Sequence, residues 1–325
     1  MKLYDPISEY SVISEVFRIC GANANNYEIK EIIARVNDAL DRYCHIAFRA
    51  DGEHSFDDIN QTSAPIDTQN IVSGTNQYKF SDFTEKILNL VKLTVLNADA
   101  VEIELKPERI ENLSDSFTQV YNSSNTGTPT HYLKYGDYIY LRPYPDYSES
   151  NGLRAYFNRP AMKSEPVAVT IANGADADFT AVAHGLAEDD TILLLSDGTL
   201  PTGATADTIY HLVATVAADT FNVATNKGGT SLTTSSAGSG VHSFIETSST
   251  PGIPSIHHSY LARHASLPFL IEKDINRAKS IMKLIGSDNP RDPYYGGDEL
   301  AIKRHFSSRS KDIRNIIKPF ITPFR

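Results

Sequence analysis

Apolar residues recur at helical spacing at both ends of this chain and alternate with polar ones between. From Ser8 to Cys20, Val12, Ile13, Val16, Phe17 and Cys20 fall on one stripe of a helix that Gly21 stops. After the polar break Asn23–Asn26, a second helix is predicted to about Phe48. Its apolar positions are Ile29, Ile32, Ile33, Val36, Leu40, Tyr43, Cys44 and Ala47. Asn25 with Glu28 fits a capping-box variant at its start, and Glu31 with Arg35 forms an i,i+4 pair. Two helices with a short linker predict an antiparallel αα-hairpin.

From Ser55 to Asn158 the period falls to two. Val91, Leu93 and Val95 alternate with polar residues, as do Val101, Ile103 and Leu105, which predicts strands with one buried face. The clearest hairpin is Tyr132–Leu141, turning at Gly136-Asp137 and ended by Pro143 and Pro145. Leu153, Ala155 and Phe157 predict a further strand, and the region reads as a small antiparallel sandwich or curled sheet. Its tyrosines are read as packing or interface residues in preference to a carbohydrate platform.

Between 166 and 246 come short strands, Thr191–Leu195, Ile209–Val216, Asp219–Val223 and Val241–Phe244, separated by Gly-rich turns. They predict a small all-β module inserted between a strand and a helix. Helical spacing resumes at Ser255 and runs, kinked at Pro268, to Ile285. Asp298 caps a last helix reaching Ile317. The fold class is therefore α+β. Residues 1–165 and 247–325 form a body, with helices over 8–48 and 255–317 making a bundle and the β region over 55–160. Residues 166–246 form a separate domain.

Charge sharpens this division. The 325 residues carry a net charge of −10, yet Val167–Glu246 holds nine acidic residues and one basic, Lys227. His257–Arg325 holds 13 Lys/Arg against 7 Asp/Glu. Such a balance argues against general coating of nucleic acid and for local charged interfaces. Cys20 and Cys44 read as core residues of a reduced protein. There is no apolar run of about 18 residues and no basic-then-apolar start, so neither a membrane span nor a signal peptide is expected.

The sequence has no phosphate-cradling loop, dinucleotide fingerprint or nucleophile elbow. Its histidines do not fall at metal spacings, and the adjacent His257-His258 pair points about 100° apart on a helix. Asp176-Ala-Asp178 lacks the glycine and distal glutamate of an EF-hand and reads as a solvated turn. No enzyme activity, metal or cofactor is expected.

Two resemblances follow from particular residues. Ala183–Leu186, Leu200–Gly203 with Tyr210, and Asp219–Ala224 resemble small β modules of phage tail and virion proteins. Glu188-Asp189-Asp190 stands where that pattern more often has Gly-Asp. With 166–246 set aside, Gly127-Thr128-Pro129, the hairpin ending in Pro143-Tyr144-Pro145, the strand Leu153–Phe157 and Ile253-Pro254 occur in order. This order resembles phage head-to-tail adaptor proteins, including the tail tubular protein A type of short-tailed phages. The insert itself departs from the pattern, and Asp51–Asn76 matches it loosely.

The resemblance implies a structural virion protein of the neck or tail, assembled in the host cytoplasm. It implies a ring, usually of twelve subunits, between the portal and the tail, nozzle or stopper proteins, with double-stranded DNA passing through. The apolar, basic C-terminus is the candidate portal-binding segment, through Ile313, Arg314, Ile316, Ile317, Lys318, Phe320, Ile321 and Phe324. Its removal is expected to leave a folded monomer that no longer binds portal rings; truncated protein that still assembles on them would reject the assignment. The alternative class is a receptor- or glycan-binding virion protein.

Overall fold

The computed structural model describes residues 1–50, 66–84, 87, 89–112, 121, 124–158, 163–213, 216–236 and 238–316. The protein is mixed α+β, with five α-helices and three predominantly antiparallel sheets among these residues. The chain divides into two compact units, Met1–Gly52 with Ala161–Arg325, and Glu53–Pro160.

In the second unit, β1 (Ile66–Ile71), β3 (Asn89–Leu96), β4 (Glu102–Glu104) and β8 (Glu149–Asn158) form a sheet in the order β1-β8-β3-β4. A second sheet runs β2 (Gln77–Lys79), β7 (Tyr138–Arg142), β6 (His131–Tyr135), β5 (Lys106–Glu108). The alternation seen in sequence turns Leu93, Val95, Leu153, Ala155 and Phe157 of one sheet onto Tyr78, Tyr132, Ile139 and Leu141 of the other. The hairpin pairs Tyr135 with Tyr138 across Gly136-Asp137, as its sequence predicts. Gly127 N–H donates to the Tyr144 carbonyl at 2.8 Å, and Tyr144 N–H to the Asn125 carbonyl at 2.8 Å. The Gly-x-Pro and Pro-x-Pro motifs are thus bonded to each other.

In the first unit, α1 (Val12–Cys20) starts at Ser11, whose Oγ accepts Ser14 N–H at 3.2 Å. The predicted start at Ser8 is lost because Asp5 takes the Ile7 and Ser8 N–H groups in a turn. Gly21 ends α1 at φ 65° and donates its N–H to Phe17. α2 (Ile29–Ala50) begins at Glu28, whose carbonyl accepts Ile32 N–H. The expected Asn25 cap is replaced by a turn in which Asn23 accepts the N–H groups of Asn25, Asn26 and Tyr27.

One 3-10 turn, Ser255–His257, leads into α3 (His258–Lys273), which runs through Pro268. The break comes instead at Asp274, whose carboxylate accepts Asn276 and Arg277 N–H at 3.1 and 3.0 Å and opens α4 (Ile275–Ile285). α5 covers Gly297–Ile316, starting one residue before the expected cap Asp298. Both α1 and α2 pack on α3, and α5 packs on α2. Tyr27 stacks on Phe269 at 4.8 Å and donates to the Ala265 carbonyl at 2.9 Å. Cys20 and Cys44 are both buried in this layer, as their sequence context predicts.

The same unit contains a seven-stranded sheet: β9 (Val167–Ile171), β10 (Phe179–Thr180), β11 (Thr191–Ser196), β12 (Thr208–Leu212), β13 (Thr220–Phe221), β14 (Val223–Ala224) and β15 (His242–Glu246). Its order is β13-β10-β9-β15-β11-β12-β14. The outermost strands β13 and β14 are separated in sequence by Asn222 alone, so one short segment joins both edges and nearly closes a barrel. Phe179, Phe221, Phe244 and Tyr210 fill its interior.

Both ends of this sheet region are held to the helical part. Asn37 on α2 exchanges two hydrogen bonds with the Ser164 backbone, at 3.0 and 3.1 Å, and Lys163 meets Asp41 at 2.6 Å. At the other end, Leu3 and Tyr4 N–H groups donate to the Ser249 and Thr247 carbonyls at 2.8 Å.

Candidate functional site

Of the sequence-predicted docking residues, Ile313, Arg314 and Ile316 fall in the last turns of α5, where the backbone alone is described. Ile317, Lys318, Phe320, Ile321 and Phe324 lie outside the described residues. What the structure places with full side chains is the first part of α5 and the residues around it.

Ile302 and Phe306 of α5 are fully buried, one turn apart on its inner face. Phe306 meets Tyr43 of α2 edge-on at 5.9 Å between ring centroids. Tyr43 also faces His257 at 5.6 Å and Tyr260 at 6.3 Å, so α2, α3 and α5 share one aromatic centre. His305, the neighbour of Phe306, stands perpendicular to His257 at 5.2 Å. Burial, with the nearby His305 and His258 adding to it, lowers the His257 pKa from 6.5 to about 4. The pKa of His264 on α3 is also lowered, chiefly by burial. Both rings are therefore neutral at pH 7.

Around this apolar centre lies a partly buried ionic network. Glu299, 4% exposed, accepts hydrogen bonds from Arg42 Nε and Nη2 at 2.9 and 2.8 Å. Its hydrogen bond is the main reason the Arg42 pKa is raised. Asp298 is held differently, both of its carboxylate oxygens accepting from the single Nη1 of Arg263 at 2.8 and 2.6 Å. Asp288, 1% exposed, accepts no hydrogen bond on either carboxylate oxygen. Instead it sits among Arg49 at 3.5 Å, Lys303 at 3.5 Å and Arg42 at 4.0 Å.

Glycine geometry makes the Asp288 position possible. Ser287 and Gly296 pair across the 286–297 loop, each N–H donating to the other's carbonyl, and the preceding Gly286 has φ 71°. A Cβ on Gly286 would lie 1.9 Å from the Gly296 carbonyl oxygen, so only glycine permits this closure. The closed loop turns Asp288 inward. Sequence reasoning missed Asp288 and Glu299, because their partners Arg42 and Arg49 lie far away in the chain.

The arrangement is mechanical: two hydrogen-bonded ion pairs and one caged carboxylate fix α5 to α2 and α3. Among the described residues no group of His, Cys, Asp and Glu is disposed to hold a metal ion. Among the same residues no helix is long and apolar enough to cross a membrane. Comparison with protein-family models gives no match, and comparison with curated proteins gives none.

Proposed function

We propose that this protein is a structural virion component. It forms a ring, dodecameric by the resemblance, that joins a phage portal to the tail and lets duplex DNA pass. One observation carries the reading. The motif points that resemble head-to-tail adaptors are bonded to each other, Gly127 to Tyr144 at 2.8 Å, within a β unit that α2 precedes and that the seven-stranded sheet region and then helices follow. The helical layer around Tyr43 makes the body of the ring, a bundle completed by neighbouring copies. α5 carries the C-terminal segment, from Ile313 to Phe324, to the portal. The acidic 166–246 region is an inserted decoration. Exposed Ile271, Ile275 and Leu284, each about half accessible, supply apolar contact area between copies.

The test is the mass and symmetry of the purified assembly, by mass photometry and electron-microscopy class averages. A ring, twelve-fold or close to it, is the expected result. A monomer rejects the adaptor reading, and a trimer that binds saccharide through residues 166–246 selects the receptor-binding alternative.

A further inference from the structure

The charges of the C-terminal helices are sorted by sign. Every carboxylate between 272 and 299 is engaged within the chain. Glu272 meets Lys273 at 2.6 Å, Asp274 caps α4, and Asp292 accepts Tyr294 N–H at 2.8 Å. Asp288, Asp298 and Glu299 are held by Arg49, Arg263 and Arg42. The cations are not matched. Lys279, Lys283, Arg291 and Arg304 are exposed and form no ion pair among the described residues. Lys279 and Lys283 lie one turn apart on the face of α4 opposite buried Ala278 and Ile285, with Asn276 and Ser280 beside them. Two like charges at this spacing repel one another unless an anion comes between them.

The complementary surface is on the same chain. The seven-stranded sheet region carries nine acidic residues and one basic, and Lys227 is occupied by Asp189 at 3.0 Å. Asp176 and Glu188 are exposed and make no ion pair among the described residues. We propose that the Lys279–Lys283 face of α4 docks on the acidic 167–246 region of a second copy. Such a contact joins two different patches, so it is head-to-tail, and head-to-tail contacts close into rings when the rotation between copies closes and make filaments when it does not. The inference rests on the ring reading and names the contact that would build it.

Charge reversal tests it, with mass photometry of the full chain at low salt as the readout. Lys279→Glu with Lys283→Glu, and separately Asp176→Lys with Glu188→Lys, are each expected to weaken self-association by about tenfold or more. Mixing the two variants should restore it, because each then presents the surface that the other lacks. The wild-type assembly should also dissociate as salt rises toward about 0.5 M, where screening is strong. Thermal midpoints matching wild type confirm that the variants fold. Wild type that assembles while either variant assembles equally well, or a mixture that stays apart, overturns the contact and leaves the ring reading intact. A Lys279→Glu/Lys283→Glu variant that assembles normally but no longer retains duplex DNA assigns the face to nucleic acid and overturns the proposal. Wild type that remains monomeric at every salt rejects both.

Discussion

Replacing Asp288 by alanine is expected to destabilise the helical unit by about 3 kcal/mol, the lower end of what breaking a buried ion pair costs. The carboxylate is 1% exposed and is the common counter-charge for Arg42, Arg49 and Lys303. Its removal leaves Arg49 and Lys303 converging on one spot without a counter-charge, while Arg42 keeps Glu299. Those cations are each a third to a half exposed, which lets water compensate part of the loss and places the figure at the lower end. Asp288→Asn, which keeps the shape and removes the charge, should lose nearly as much. Arg49→Ala should lose under about 1 kcal/mol, because two cations remain and Arg49 is itself half in water. Urea unfolding followed by hydrogen exchange in α5 measures all three. An Asp288→Asn protein within about 0.5 kcal/mol of wild type would mean that the cage contributes little.

Acidification is expected to loosen the same helices. His257 has a pKa of about 4 in the folded protein against 6.5 as an ordinary value. Between those values the unfolded chain binds a proton that the folded one refuses, so stability rises with pH in this window and falls as pH drops. The contribution is complete above pH 6.5 and is lost progressively down to pH 4, amounting to at most about 3 kcal/mol. The groups facing His257 are His305, His258 and Tyr43, and none of them is a carboxylate that would welcome the added charge. His257→Phe keeps a ring against Tyr43 and removes the titration. Its thermal midpoint should therefore fall less than that of wild type between pH 7 and pH 4.5. Part of the slope should remain, because the pKa of His264 is shifted in the same direction. Parallel pH profiles for the two proteins would show that His257 does not govern the acid response.

What the sequence revealed and what it hid divide along a physical line. The stripe from Ile29 to Ala47, the Gly136-Asp137 hairpin and the alternation through Leu153–Phe157 are local periodicities, and each appears where its spacing places it. Boundaries depended on competing local bonds. Asn23 outcompetes Asn25 for the turn before α2, and Asp274 breaks the helix that Pro268 leaves intact. The base of the candidate site was not legible, since Arg42 and Glu299 are 257 positions apart and neither carries a local sign of burial. Asp298 and Glu299 looked like the ordinary acidic start of a helix, which favours carboxylates whether or not they are buried. Closure of the seven-stranded sheet was hidden for a similar reason. Periodicity reports that Thr220 to Ala224 is extended, and only the pairing reveals that its two halves serve opposite edges.

That last segment has a consequence for crowding. An open sheet ends in rows of unsatisfied backbone groups, which adhere to any other extended chain. Here the terminal strands are two residues long each and are joined through Asn222, whose side-chain amide is fixed to the Ala177 carbonyl and the Asp178 carboxylate at 3.0 Å. Many copies of this sheet can therefore be held side by side at high local concentration without zipping into one another. Contacts between them are left to side chains, where charge can make them selective and reversible.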